Sequence, residues 1–203
     1  MVDGCKDYTA RNSIILTNDD CICPHALNAA GNGEPVAKNY LFENLVLYNV
    51  LSGNGIRIGA SFETSRATNW KFRNIDILAH RNRAAILSDH SDWARVENLK
   101  FINFHDEQAS NHSIELLIDS TRYSCFTGYK NERGHIENWC FIDFTTPGGD
   151  IVMKGYDEEH QIKNICFYNS YIGDSRIDDL SDLQTNSFVS NLHFIEDSSD
   201  LPK

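Results

Sequence analysis

Phe42-Glu43-Asn44-Leu45-Val46-Leu47 is the stretch that decides the fold, because its phrase (apolar, any, Asn, apolar, any, apolar) recurs along the chain. It returns at residues 72–77, 96–101, 136–141, 162–167 and 189–194, with a degenerate first copy at 10–15. The marker residues are Asn12, Asn44, Asn74, Asn98, Asn138, Asn164 and Asn191, at steps of 32, 30, 24, 40, 26 and 27 residues. Self-similarity at such a period is the mark of a solenoid. Within each copy the apolar residues alternate, which is the period of a strand and not of a helix. A second short strand follows in most units: Gly55-Ile56-Arg57-Ile58-Gly59, Ala84-Ala85-Ile86-Leu87, Ile114-Glu115-Leu116-Leu117-Ile118 and Asp150-Ile151-Val152-Met153. A unit of two or three short strands cannot bury itself alone, but coil stacked on coil can. The expectation is an all-β, right-handed parallel β-helix of about 6–7 coils over residues 1–195, with an acidic, Ser-rich, frayed tail at 196–203. The recurrent Asn suits a bend whose amide bonds the Asn of the next coil about 4.8 Å away.

Cys140 and Cys166 hold the same place in successive copies, at a separation a disulfide would tolerate. The expectation is two stacked thiols, since a regular coil stack has little need of a staple. Cys21 and Cys23 form a C-x-C, and no Cys pair has the spacing of a zinc site. The long steps place insertions: residues 25–38, with Gly31-Asn32-Gly33, and residues 119–134, with Arg122, Tyr123, Tyr129, Lys130 and Arg133. In solenoids such insertions often wall a binding cleft. The first coil leaves strand edges open, which calls for self-association or for further coils upstream.

The chain has 203 residues, 18 of them basic and 29 acidic, for a net charge of −11. That argues against nucleic acid and against an anionic membrane surface as partners. No apolar run reaches the length of a membrane span. Met1-Val2-Asp3-Gly4 has neither the basic start nor the apolar segment of a signal peptide. The compartment is therefore open: secreted or periplasmic if the chain is part of a longer polysaccharide-degrading enzyme.

Chemistry concentrates at Thr17-Asn18-Asp19-Asp20-Cys21-Ile22-Cys23. Adjacent carboxylates repel and tend to share a proton, which suits a general acid beside a general base. Asp-Asp is also common in plain surface turns. Arg57 alternates with Ile56 and Ile58, so it faces outward, toward a cleft or toward solvent. His25 either hydrogen-bonds a sugar hydroxyl or is an ordinary surface histidine. His80, Arg81 and Arg83 either extend the cleft or form a surface charge cluster, and His90 and Asp92 are structural or solvent-facing. Trp70, Trp93 and Tyr48 are candidates for stacking on sugar rings, whereas Trp139 takes an inward apolar slot. No dedicated metal site is visible, and no cofactor is called for.

Thr17-Asn18-Asp19-Asp20-Cys21-Ile22 resembles the Asp-Asp-Cys-Ile signature of the polygalacturonase family, glycoside hydrolase family 28. Gly53-Asn54-Gly55-Ile56-Arg57-Ile58-Gly59 is similar to that family's Gly-His-Gly segment, and Val2-Asp3-Gly4 to the end of its Asn-Thr-Asp-Gly motif. Asn18-Asp19-Asp20, with Ser65-Arg66-Ala67-Thr68-Asn69-Trp70-Lys71, also resembles the dextranase and isopullulanase family, glycoside hydrolase family 49. Both families are right-handed β-helices that hydrolyse glycosidic bonds with inversion. The resemblance implies that Asp19 is the general acid, and that Asp20 and Asp3 activate water. Read from the residues themselves, the candidate substrate contacts are His25, Asn54, Arg57, His80 and Arg83. The family's active-site His is Asn54 here, and its Arg-Ile-Lys triplet is replaced by Arg83-Ala84-Ala85-Ile86-Leu87-Ser88. Together with the acidic charge, these departures point to a neutral or weakly charged polysaccharide or oligosaccharide. The reading of a different class is a non-catalytic, carbohydrate-binding or structural β-helical piece.

Overall fold

The computed structural model describes residues 2–27, 37–59, 61–90, 92–109, 111–119 and 132–202. The Gly31-Asn32-Gly33 insertion and Arg122, Tyr123, Tyr129 and Lys130 lie outside the described residues. The strands are β1 (Val2–Asp3), β2 (Thr9–Thr17), β3 (Pro24–His25), β4 (Ala37–Asn49), β5 (Ile56–Ile58), β6 (Arg66–Ala79), β7 (Ala84–His90) and β8 (Arg95–Asp106). Then follow β9 (His112–Ile118), β10 (His135–Thr146), β11 (Asp150–Lys154), β12 (Ile162–Tyr168), β13 (Tyr171–Ile172), β14 (Ser175–Arg176), β15 (Leu183–Thr185) and β16 (Val189–Ile195). β2, β4, β6, β8, β10, β12 and β16 pair in parallel as a long wall, and β5, β7, β9, β11 and β15 form a second, five-stranded parallel sheet. The chain is thus an all-β parallel solenoid of about five turns.

The sequence explains why the wall bends. Among the described residues, the thirteen non-glycine residues with positive φ are all Asn or Asp, the residues that enter the left-handed region most readily. They form two columns. One runs Asp7, Asn39, Asn69, Asn98, Asn138, Asn164 and Asn191; the other runs Asn12, Asn44, Asn74, Asn103, Asp143 and Asn169. Along the columns each amide mostly donates to the residue one rung back, as from Asn44 to Asn12 and from Asn74 to Asn44, both at 2.8 Å.

This corrects the 24-residue step. Asn74 stacks on Asn103, 29 residues on, and Asn98 belongs to the other column, beneath Asn69. The phrase occurs at both bends of a rung, five residues apart and sharing one Phe, as in Ala67-Thr68-Asn69-Trp70-Lys71-Phe72-Arg73-Asn74-Ile75-Asp76-Ile77. Copies at 42–47 and 72–77 sit at the second bend; those at 96–101 and beyond sit at the first.

Inward side chains stack with the rungs. Phe42, Phe72, Phe101, Phe141, Phe167 and Phe194 form one column, with ring centroids 4.8, 4.8, 4.9, 5.2 and 6.1 Å apart and interplanar angles of at most 14°. The spacing is that of adjacent strands, so the backbone register imposes the stacking. Trp70 lies in this core, stacked on Tyr40 at 4.7 Å with its indole nitrogen donating to the Ala37 carbonyl. It is therefore not available as a sugar platform. Trp139 is inward, as expected.

Cys140 and Cys166 face each other across β10 and β12 and are joined by a disulfide, with Cα atoms 4.6 Å apart. The expectation of two free thiols is overturned. In-register neighbours in a parallel sheet already stand at the separation a disulfide needs, so oxidation requires no distortion of the stack. At the opposite end, β2 is the last strand of the wall. On it Ile14 and Leu16 are 78% and 67% exposed. Ser198–Asp200 forms a single 3-10 turn, and the Lys100 Nζ donates to the Pro202 carbonyl at 2.6 Å.

Candidate functional site

Asp19 and Asp20 lie at the corner where the chain leaves β2 for the second sheet. The Gly53-Asn54-Gly55 loop packs directly against them. Gly53 has φ +145°, and a Cβ there would lie 2.5 Å from Asp19 C and from Asp20 N. Only glycine lets this loop approach so closely. The backbones then pair across the corner, with Cys21 N donating to Asn54 O and Ile22 N to Gly55 O, each at 3.1 Å.

The two carboxylates have unequal settings. Asp19 is exposed; its Oδ1 accepts from the Asp20 N–H at 2.8 Å. Its carbonyl is held by Thr17 Oγ1 and, at 2.6 Å, by Nδ2 of the buried Asn49. The Asp20 side chain is only 8% exposed. Its Oδ1 accepts from the backbone N–H of Asn54 at 2.8 Å and from Asn54 Nδ2 at 2.7 Å, while Oδ2 faces Arg57 Nη1 at 3.7 Å. Asn54 is itself buried, and its Oδ1 accepts from the N–H groups of Arg83 and Ala84 at 3.2 and 3.1 Å. It ties three rungs together and fixes Asp20.

From Asp20 a chain of alternating charge runs along the outer face of the second sheet. Arg57 grips Asp89 with two bonds, Nε to Oδ1 at 3.2 Å and Nη2 to Oδ2 at 2.9 Å. Arg83 Nη1 lies 3.8 Å from Asp89 Oδ2, and its Nη2 donates to Glu115. Burial opposes the charge on Arg57, but the bidentate Asp89 carboxylate, with Asp20 beyond it, more than compensates and raises the guanidinium above its ordinary value. The neighbouring Cys23 thiol is pushed up to about 12 by burial, reinforced by Asp20, so it is protonated at neutral pH and is no nucleophile.

The remaining predicted residues fall elsewhere. Asp3 pairs in register with His25 across β1 and β3. Its Oδ1 accepts from the Leu27 N–H at 2.8 Å and lies 3.3 Å from His25 Nδ1. His25 is buried, and burial, partly offset by Asp3, lowers its pKa below the usual 6.5. His80 is fully buried, with Nε2 3.4 Å from Asp106 Oδ1 and neither ring nitrogen hydrogen-bonded among the described residues. It cannot touch a substrate from there. Asp92 is also buried, accepting from the Phe62 N–H at 2.7 Å. The sequence reading missed Asp89, Glu115 and Asn49. The first two were discoverable: they are acids on the strands next to two outward arginines. Asn49 gave no signal.

At the Asp19 corner exposed apolar residues stand beside exposed Asn18 and Ser52. Leu16, Val50 and Leu51 are exposed, and Tyr48 pairs in register with Leu16. The Val50 N–H donates to Thr17 O at 2.8 Å and the Ser52 N–H to Asn18 O at 3.1 Å, which fixes this apolar turn beside the acid. Among the described residues no group of three or more His, Cys, Asp or Glu is arranged to hold a metal ion. The chain matches no known family model, no curated protein and no solved structure.

Proposed function

We propose that the chain is an inverting glycoside hydrolase acting on a neutral or weakly charged polysaccharide. The observation that carries this reading is the unequal setting of the two adjacent carboxylates, one open to solvent beside an apolar turn, one fixed in a polar cradle. Different environments are what separate an acid role from a base role in neighbouring carboxylates. Asp19 donates a proton to the glycosidic oxygen as the bond to the anomeric carbon breaks. A water molecule attacks that carbon from the opposite face, and its proton passes to Asp20 or, in the reading that includes the first strand, to Asp3. Inversion requires room for that water, which sets the working carboxyl groups roughly 6.5–9.5 Å apart. A neutral glycan is favoured because Arg57 and Arg83 are already engaged by Asp89 and Glu115.

A second reading is favoured by one observation: Oδ1 of Asp20 already accepts two bonds from Asn54. A carboxylate so held also suits a glycan-binding surface that performs no chemistry. Reducing-sugar release from a panel of neutral glycans, with proton NMR of the first-formed anomer, separates the two. Hydrolysis with inversion that falls at least about a hundredfold in Asp19→Asn supports the enzyme. Glycan binding without release supports the second reading, and activity untouched by both Asp19→Asn and Asp20→Asn sinks the first.

A further inference from the structure

A second site lies on the opposite element of the fold, the outer face of the long wall. Between the two asparagine bends the outward row reads Leu41, Lys71, Lys100, Cys140, Cys166 and His193, one residue per rung. Along this row runs a groove of about 800 Å³, floored by Lys71, Lys100, the disulfide and His193 and edged by Asn98 and Asn138. Its far wall is Asp200 and Pro202.

The groove brings two lysines together on one face. Arg57, Arg66, Arg73, Arg83 and Arg95 are each paired with a carboxylate. Lys71 and Lys100 lie on adjacent rungs and neither forms an ion pair among the described residues. Two ammonium groups side by side repel, and burial together with Lys71 lowers the pKa of Lys100. An anion placed between them relieves that repulsion. One of the two ammonium groups already holds a backbone carbonyl: Lys100 donates to Pro202 O at 2.6 Å, in the segment that walls the groove. A saccharide fits less well, because Trp70 and Trp139 turn their rings into the core and offer no stacking face.

We infer that this groove is a docking site for an acidic peptide segment of a partner protein, with carboxylates on Lys71 and Lys100 and backbone groups on the flanking asparagine amides. A net charge of −11 repels long polyanions, whereas a short acidic segment feels chiefly the field within a Debye length of about 8–10 Å.

The test is fluorescence anisotropy with a short labelled peptide of alternating Glu and Ser, its Gln-Ser counterpart, and a uronic acid oligosaccharide of equal charge. The acidic peptide is expected to bind at least about tenfold more tightly than the Gln-Ser peptide and to weaken as salt rises from about 0.05 to about 0.3 M. Lys71→Gln with Lys100→Gln is expected to remove about tenfold of that affinity, while Lys71→Arg with Lys100→Arg retains it. Both side chains stand on the outer face, and unchanged melting of each variant verifies the fold. Equal binding of the Gln-Ser peptide, affinity indifferent to the Gln pair, or no binding of the acidic peptide overturns the inference. Tighter binding of the uronic acid oligosaccharide than of the peptide also overturns it. Asp19→Asn leaves peptide binding unchanged, so this result and that of the glycan assay are independent.

Discussion

On the long wall, Phe42, Phe72, Phe101, Phe141, Phe167 and Phe194 repeat one residue type rung after rung. On the second sheet, the row that begins at Arg57 continues as Leu87, Glu115 and Val152, with no two alike. Both surfaces belong to the same turns. The Phe column is inward and must fill a uniform space, so each rung repeats the last. The sheet's outer row is also buried at Leu87, Glu115 and Val152, but its rungs carry different residue types, with Glu115 paired to Arg83. Regularity marks where the chain stabilises itself, and irregularity marks where Asp20, Arg57, Asp89, Arg83 and Glu115 gather.

The largest break in this contrast comes from the Phe column. Phe101 is fully buried between Phe72 and Phe141, at 4.8 and 4.9 Å, so Phe101→Ala should cost about 3–5 kcal/mol in a urea unfolding curve. Next comes the disulfide. It closes a 26-residue separation, and Cys140→Ser with Cys166→Ser should lower stability by about 3 kcal/mol by the same measurement. Third, Asn74→Ala puts a β-carbon residue with no local hydrogen bond at φ 53° and breaks the amide column on both sides. The expected cost is about 1–2 kcal/mol, with Asn74→Gly milder.

The smallest effect is on the pH dependence of stability. His25, on β3, has a folded pKa lowered by burial from 6.5, and so does His135 on β10. Below 6.5 the unfolded chain takes up protons that the folded chain refuses. Stability is therefore full above about 6.5 and declines as pH falls toward the folded values. Melting temperature against pH should show this loss, and His25→Gln should flatten it in part.

The wall was legible in the sequence because its constraint is local: an Asn that must bend, flanked by alternating apolar residues. Even so, the bare phrase set Asn74 against Asn98, since two bends five residues apart share one Phe and look alike. Only long-range pairing separates them. Asp19 and Asp20 were legible as a pair, but not their difference. That difference depends on Asn54, which arrives from the next rung, and on the missing β-carbon of Gly53. His80, one coil beyond Arg57, read as a cleft or surface-cluster residue, whereas the structure buries it against Asp106. The Cys140–Cys166 bond was visible as proximity, and its oxidation was not.

That bond also gives the molecule a polarity under load. It ties the rungs of β10 and β12 covalently, whereas among the described residues the pairing of β2 with β4 rests on hydrogen bonds and packing. Under a load along the stack, β10 and β12 cannot part until a reductant releases that tie.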